Sequence, residues 1–367
     1  MRSRTLGLGL VVIFGLGCQL SCQNFRSKTA GELPPQPPRG YKPAPLQLLG
    51  ELGESEQPQF SPDGQRLLFI SRNRPQHRNS QVYEYNFQSQ RQRRLTFQDG
   101  DLTSPSYHPR KDQLLYSSTT DEIKEDPAYL KQTLSRLAAR TDPEPKTPEE
   151  PILTHPWSHQ PFEIYISGFR GENIQRLTHS PGFDAHADMH PLKDEFVFSS
   201  LRSGVLQVYR QELGQRRAQP LRPSPDHHQL EPRHSPSGEQ LLFVEMSKDM
   251  KSSQIFLQKE PGAEFEPLTE GPFIHWNPGF SPDGRKVLFS SNRGDGRTFE
   301  IYSLEIATGC LKRLTYSRDN QTHPHWSPDG EKIALTADTE GRPQIYLMAY
   351  RPPKNCDAHK ESQANED

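Results

Sequence analysis

GFSPDGRKVLFSS, residues 279–291, is the clearest copy of a motif that occurs six times and determines the fold. The other copies are QFSPDGQRLLFIS (59–71), SYHPRKDQLLYSS (106–118), DMHPLKDEFVFSS (188–200), RHSPSGEQLLFVE (233–245) and HWSPDGEKIALTA (325–337). The residue before the shared proline falls at positions 61, 108, 190, 235, 281 and 327. Four of the five intervals are 45 to 47 residues, a period typical of propeller blades. The fifth is 82 residues, which indicates an insertion of about 36 residues in one repeat.

The repeats share a pattern of four strand signals, of which the sixth repeat has the first three. The first strand ends in an aromatic residue in four copies, S-P-D-G or a related turn follows, and an apolar second strand comes next. The third strand alternates apolar and polar residues, as in QVYEY and FEIYS, and the fourth carries Arg-Leu-Thr. We therefore predict an all-β, six-bladed β-propeller with four-stranded antiparallel blades. The recurring turn aspartates, Asp63, Asp283 and Asp329, are expected to build turns rather than to catalyse.

The two ends of the repeat region suggest how the ring closes. The sixth repeat stops near Tyr350, after its third strand, and APLQLLG (44–50) precedes the first repeat. We expect this N-terminal strand to complete the last blade, because that closure removes two exposed sheet edges.

The SPDG turns and Arg-Leu-Thr strands resemble the WD40-like repeats of the TolB-like propeller family, over residues 46–350. The resemblance implies a propeller that contacts envelope proteins such as peptidoglycan-associated lipoproteins. TolB proteins carry an α/β domain ahead of the propeller, whereas residues 18–45 here are proline-rich and are predicted to be an extended tether.

The N-terminus has the features of an export signal. Two arginines precede an apolar run of 12 residues, LGLGLVVIFGLG (6–17), which is too short to span a bilayer. The run ends at Cys18, which resembles the lipidated cysteine of bacterial lipoproteins; Cys22 is the alternative, and an ordinary cleaved signal is another. Residues 1–17 are thus predicted to be a signal peptide. Neither cysteine is followed by Asp, which by the same resemblance favours the outer membrane, facing the periplasm.

Alignment of the repeats places polar residues at equivalent positions just ahead of each innermost strand. They are Gln57, Ser104, His186, Glu231, Asn277 and His323, and two residues further on Asp188, Arg233 and His325. We predict that these nine residues line the mouth of the central channel. His186, Glu231 and His323 are candidate metal ligands, although a polar, water-filled channel explains the same residues. No cofactor is expected.

Two further segments lie outside the repeat. Residues 119–161 form the insertion in blade 2, either a partner-binding or lid element or an exposed embellishment; its first part has helical spacing. Residues 351–367 are a polar tail, expected to be disordered. Cys310 and Cys356 could form a disulfide in an oxidising compartment, or remain two thiols.

The formal net charge of −2 gives no reason to expect a nucleic-acid partner. The sequence has no phosphate loop, HExxH, G-x-S-x-G or Rossmann fingerprint. We therefore expect a monomeric, non-catalytic periplasmic lipoprotein scaffold that binds an envelope protein or peptide through a propeller face. The alternative is a metal-dependent carbohydrate lyase, because oligogalacturonate lyases resemble this chain in the style of their repeats.

Overall fold

The computed structural model describes residues 36–50, 52–120, 161–180, 182–339 and 341–357. The predicted signal peptide, Cys18 and Cys22, almost all of the insertion and the last ten residues of the tail lie outside these ranges. In the described part, 24 strands form six four-stranded antiparallel sheets. No helix there is long and apolar enough to cross a membrane.

Each sheet is one blade, whose strands follow one another from the innermost to the outermost. Blade 1 contains β2 (Glu54–Phe60), β3 (Arg66–Arg72), β4 (Gln81–Asn86) and β5 (Arg91–Arg94). Blade 2 contains β6 (Leu102–Tyr107), β7 (Gln113–Ser118), β8 (Glu163–Gly168) and β9 (Gln175–Arg176). Blade 3 contains β10 (Asp184–Met189), β11 (Glu195–Ser200), β12 (Gln207–Glu212) and β13 (Gln219–Pro220).

The remaining blades follow the same order. Blade 4 contains β14 (His227–His234), β15 (Leu241–Ser247), β16 (Ser253–Gln258) and β17 (Phe265–Pro267). Blade 5 contains β18 (His275–Phe280), β19 (Lys286–Ser291), β20 (Glu300–Glu305) and β21 (Cys310–Arg313). Blade 6 contains β22 (Gln321–Trp326), β23 (Lys332–Thr339), β24 (Arg342–Ala349) and, from the N-terminus, β1 (Gln47–Leu48). The predicted six-bladed fold and its closure by an N-terminal strand are confirmed.

The core lies between neighbouring blades, which explains why the second strand of each repeat is apolar at successive positions. In β3, Leu67 and Phe69 pack toward blade 6, whereas Leu68 and Ile70 pack toward blade 2. A strand buried on both faces requires an apolar residue at each position.

The repeated turn sequence is held by its own side chains. In the turn at Ser281, the Ser281 hydroxyl donates to Asp283 Oδ1 at 2.5 Å, and Asp283 Oδ1 also accepts from Arg285 N at 3.1 Å. Gly284 has φ +70°, a conformation that glycine adopts without steric cost. The turns at Asp63 and Asp329 are built in the same way, so these aspartates have a structural role.

The Arg-Leu-Thr signal joins the fourth strand of a blade to its third. In blade 5, Leu314 N donates to Ile301 O at 2.8 Å, and Thr315 Oγ1 accepts from Ile301 N at 2.9 Å. Arg313 binds the carboxylate of Glu300 through Nη2 at 3.0 Å. Blade 2 repeats the arrangement with Arg176, Thr178 and Glu163. The signal therefore marks the outer edge of a blade.

The first and the last described residues pack on the last two blades. Ahead of β1, Ala44 is buried in the core between blades 5 and 6, and the Tyr41 hydroxyl donates to Arg351 O at 2.9 Å. Cys356 is joined by a disulfide to Cys310, the first residue of β21. Next to it, Asp357 N donates to Leu311 O at 2.7 Å. The tail was expected to be disordered, but residues 351–357 lie along blade 5 because these bonds pair them with its outer strand.

Candidate functional site

The six innermost strands, β2, β6, β10, β14, β18 and β22, each contact the next one around the ring. Every one of them carries a register shift, or β-bulge, near its middle. The residues with positive φ at these bulges are Gln57, Ser104, His186, Glu231, Asn277 and His323, with φ between +51° and +58°. These are the six residues predicted from the repeat alignment. They lie within the innermost strands, not ahead of them as the repeat alignment predicts.

The bulge residues connect one blade to the next. Gln57 Oε1 accepts from Ser104 N at 2.8 Å, Glu231 Oε2 accepts from Asn277 N at 2.5 Å, and Asn277 Oδ1 accepts from His323 N at 3.1 Å. In each case the side chain of one bulge satisfies the backbone of the equivalent bulge in the following blade. A backbone N–H displaced from the strand ladder by a bulge needs such a partner.

Histidine changes this arrangement in blades 3 and 6. A hydroxyl of the second strand accepts the hydrogen bond from the next blade there: Ser199 Oγ from Glu231 N at 3.2 Å, and Thr336 Oγ1 from Gln57 N at 3.1 Å. The imidazoles of His186 and His323 are consequently free of this linking role.

The sequence contains a further signal for these bulges, independent of the repeat alignment. Five of the six bulge residues precede a proline: Pro58, Pro105, Pro232, Pro278 and Pro324. Proline cannot donate to a strand ladder and is tolerated inside a sheet at bulges. A proline two residues before the aromatic residue that ends the first strand therefore indicates that the residue preceding this proline is the bulge residue.

The second set of predicted residues is also engaged with neighbouring strands. Asp188 Oδ2 accepts from His234 N at 2.8 Å and lies 2.9 Å from His234 Nδ1. His325 Nδ1 accepts from Phe60 N at 3.2 Å. Arg233 Nη1 donates to its neighbour Pro232 O at 2.9 Å and lies 3.5 Å from His186 O.

The electrostatics of the channel are dominated by burial and by Arg233. Burial lowers the pKa of His186 to about 3 and the pKa values of His323 and His325 to about 4, and the charge of Arg233 lowers all three further. His186 belongs to blade 3 and the other two to blade 6, on opposite sides of the ring. The three histidines are neutral at pH 7.

Glu231 is the most enclosed carboxylate among these residues. It is only 7% exposed, and burial raises its pKa, an effect that Arg233 and the hydrogen bonds from Asn277 oppose. Asn277 Nδ2 donates to Glu231 Oε1 at 2.7 Å, so both oxygens of the carboxylate accept hydrogen bonds from the same residue.

A protein-family model described as the TolB beta propeller domain matches the chain over residues 149–299 and 224–362. Together these stretches cover more than half of the sequence. The chain belongs to the TolB β-propeller family.

Solved structures of TolB proteins share this fold. TolB from Acinetobacter baumannii superposes with a TM-score of 0.56 at 16% identity, over 81% of this chain and 66% of that one. A putative TolB from Agrobacterium tumefaciens superposes with a TM-score of 0.56 at 16% identity, over 82% of this chain and 91% of that one. The oligogalacturonate lyase of Vibrio parahaemolyticus superposes with a TM-score of 0.53 at 12% identity, over 84% of this chain and 94% of that one. No curated protein sequence matches the chain.

The predicted metal ligands of this TolB-family propeller do not form a ligand group. Among the described residues, no three His, Cys, Asp or Glu side chains come together in a way that could hold a metal ion. The carboxylate of Glu231 is hydrogen-bonded to Asn277 instead. The structure thus brings the predicted residues to one channel, but it does not gather His186, Glu231 and His323 around a common point.

The insertion leaves this TolB-family propeller between β7 and β8, the second and third strands of blade 2. Ser118 and Glu163 are paired across adjacent strands, so the insertion occupies a position where a short turn would suffice. The predicted helix and acidic stretch of residues 119–161 fall almost entirely outside the described residues. Thr119 and Thr120, where the segment begins, contact the loop between blades 1 and 2 at Asp101 and Gly100.

Proposed function

We propose that this chain is a non-catalytic component of the bacterial cell envelope, anchored through a lipidated Cys18, with Cys22 as the alternative. In this proposal the propeller stands on its proline-rich tether, faces the periplasm from the outer membrane, and binds an envelope protein or peptide. The binding surface is the face that carries the loops between the second and third strands, from which the blade 2 insertion emerges.

One observation carries the non-catalytic part of this proposal. Three channel groups that could act as acid, base or metal ligand already serve the backbone of neighbouring blades: Glu231 binds Asn277, Asp188 binds His234, and His325 binds the backbone of Phe60. His186 and His323 have no such linking role, but no group of three possible metal ligands forms among the described residues. A general base must be able to reach a substrate proton, and these groups would have to give up bonds that hold the ring together. Binding needs no such exchange.

The choice of face can be tested by site-specific photo-crosslinking in cells. Gln76 lies in the loop between β3 and β4, and Gln65 lies in the turn between β2 and β3, at the opposite end of the same strand; both are exposed. We expect a photoreactive residue at Gln76 to capture an envelope protein that the same residue at Gln65 does not capture. Equal capture at both positions, or capture at Gln65 alone, would contradict the proposed face.

The role of the insertion can be tested by removing it. Because Ser118 and Glu163 are cross-strand partners, residues 121–160 can be replaced by a Gly-Ser turn. We expect the trimmed protein to keep its melting temperature and to lose the Gln76 crosslink. A crosslink that persists would assign the contact to the propeller loops rather than to the insertion.

A metal-dependent carbohydrate lyase is the second candidate, because His186, His323 and His325 share one channel with Arg233. This candidate predicts a stoichiometric metal in the purified protein that is lost in the H186A/H323A variant. It also predicts unsaturated products from an acidic polysaccharide. Folded, metal-free protein without such products would rule it out.

A further inference from the structure

The segment ahead of β1 reaches the propeller beside the SPDG turn of blade 6. Because β1 runs antiparallel to β24, with Gln47 opposite Leu347, the chain ahead of Gln47 lies toward the end of β24. Ala349, the last residue of β24, pairs with Lys332, where β23 begins after the turn. The predicted tether therefore meets blade 6 at the end opposite the loops between the second and third strands.

A pocket of about 220 Å³ lies at this point of blade 6. Pro45 and the last residues of β24 form its apolar lining, and its polar lining residues are Gln47, Lys332 and Arg351. None of the described residues that line it is acidic. Ammonium, guanidinium and amide groups without a carboxylate form a set of hydrogen-bond donors that suits a phosphate group.

The cations of the pocket are not neutralised by partners. Lys332 and Arg351 are exposed, and neither forms an ion pair with a described residue. Arg39 and Lys42 are also exposed and form no ion pair in this part of the chain. They lie on either side of Tyr41, whose hydroxyl donates to Arg351 O at 2.9 Å. This hydrogen bond holds the segment and its two cations beside Arg351.

Three carboxylates offset part of this positive charge. Glu331 is exposed in the turn, and Asp329 accepts from Ser327 Oγ. Asp357, in the tail, accepts from Arg313 N at 2.9 Å. Against these three, the surface carries five exposed cations: Arg39, Lys42, Lys332, Arg351 and Lys354. The surface keeps an excess of two positive charges, whereas the whole chain has a net charge of −2.

The closing strand adds an apolar side chain to this rim. Leu48 is 46% exposed although it lies within β1, and Pro45 at the pocket is exposed as well. Apolar side chains bordered by lysine and arginine are typical of surfaces that lie in the headgroup region of a bilayer. The rim therefore combines the two contacts that an anionic lipid surface offers.

We propose that this rim of blade 6 docks on an anionic phospholipid surface, with a lipid phosphate in the pocket bound by Lys332 and Arg351, and with Leu48 in the headgroup region. This inference rests on the proposed function, because the anchor at Cys18 supplies the membrane. Gln36, the first described residue, is 36 − 18 = 18 positions from Cys18, a stretch that spans at most about 60 Å. The anchor thus holds the rim near the bilayer, which favours contact, and the proposed partner face points away from it.

Photo-crosslinking in cells whose phospholipids carry radioactive phosphate would test the contact. A photoreactive residue is placed at Leu48 or, as the matched position on the opposite face, at Gln76. We expect a phospholipid adduct at Leu48 and none at Gln76. No adduct at Leu48, or equal adducts at both positions, would overturn the proposal.

Charge variants test the pocket. We expect K332Q/R351Q to reduce the lipid adduct at Leu48 at least about tenfold, because each cation near an anionic surface contributes to the attraction. R91Q/R216Q is the control: it removes the same charge from two exposed arginines of blades 1 and 3 that form no ion pair with described residues. An unchanged adduct in K332Q/R351Q, or an equal loss in the control, would refute the pocket.

Reconstituted vesicles make the test independent of any variant that melts early. The lipidated protein with the photoreactive residue at Leu48 should form adducts in phosphatidylglycerol vesicles and far fewer in phosphatidylcholine vesicles, and raised salt should reduce them. Equal adducts with both lipids would contradict a basic docking surface. Inorganic phosphate that prevents the adduct, at an ionic strength where chloride does not, would assign the pocket to free phosphate and overturn the docking.

The docking and the proposed function can fail separately. Capture of an envelope protein at Gln76 without a lipid adduct at Leu48 would sink only the docking. A lipid adduct at Leu48 without any protein capture at Gln76 would support the docking and sink only the proposed partner.

Discussion

Removing the disulfide between Cys310 and Cys356 should destabilise the propeller although neither cysteine lies in its core. The two residues are 46 apart in sequence, and the loop they close contains the whole of blade 6 except β1. In the native protein, the bond places Asp357 against β21, where its N donates to Leu311 O and its carboxylate accepts from Arg313 N at 2.9 Å.

The magnitude follows from the loop that the bond closes. For a separation of 46 residues, the chain-entropy model gives about 4 kcal/mol of stabilisation at 25 °C, as an upper figure. Each of the two hydrogen bonds of Asp357 adds about 1 kcal/mol at most. We therefore expect the C310S/C356S protein to lose roughly 2–4 kcal/mol of its free energy of unfolding, a large share of the usual stability of a domain.

Urea unfolding followed by tryptophan fluorescence would measure this loss. Cys18 and Cys22 should be replaced by serine in every sample, so that only one disulfide can form. Reductant should lower the midpoint of the native protein and leave the midpoint of C310S/C356S unchanged. A double variant whose free energy of unfolding lies within about 0.5 kcal/mol of that of the oxidised native protein would refute the reasoning. It would mean that removing the cross-link does not raise the conformational entropy of the unfolded chain.

Three other changes test the roles assigned to particular side chains. N277A should cost about 2–3 kcal/mol in urea unfolding, because Asn277 bonds both Glu231 and His323; N355A, at an exposed tail position, is the control, and an equal effect of both would contradict the linking role. E163Q should abolish a pH dependence: burial, then the charge of Asp184, raises the pKa of Glu163 from 4.5 to about 7. The folded protein therefore keeps a proton that the unfolded chain releases, and native stability should fall by up to about 3 kcal/mol between pH 4.5 and pH 8; the same slope in E163Q would exclude Glu163 as its source. D283A should cost about 1 kcal/mol at pH 7. The Ser281 hydroxyl lowers the pKa of Asp283, so its contribution is present above the unfolded pKa and is lost as the pH falls through the folded value; a D283A deficit that persists at pH 2 would contradict this.

The fold could be predicted because its determinants repeat. The SPDG turn, the apolar second strand and the Arg-Leu-Thr edge each have a local physical cause. Because the repeat occurs six times, its pattern can be distinguished from a chance similarity. The closing strand was predictable for a different reason. The sixth repeat lacks a fourth strand, and the strand signal in residues 44–50 belongs to no other repeat. In the structure β1 is only two residues long, and both are exposed. Its position is held by flanking contacts of Ala44, Leu49 and Tyr41, which no repeat pattern could indicate.

The candidate site was predicted only in part. Repeat alignment found the six bulge residues because they occupy one position per blade, but it could not show the bulge, which depends on backbone register. Sequence also suggested His186, Glu231 and His323 as ligands of one metal. That suggestion treated their side chains as free, whereas Asn277 occupies the carboxylate of Glu231. The tail contact at Asp357 was missed because it depends on a disulfide partner 46 residues away.

The backbone strain of the bulges is compensated by hydrogen bonds between neighbouring blades. A non-glycine residue with positive φ costs about 1–3 kcal/mol and persists only where its surroundings compensate for it. Here the compensation comes from the adjacent blade, because at five of the six bulges a side chain of the neighbouring blade accepts a hydrogen bond from the backbone N–H of the bulge residue. Weakening an inter-blade bond, as in N277A, removes part of this compensation and should for this reason reduce the stability of the ring.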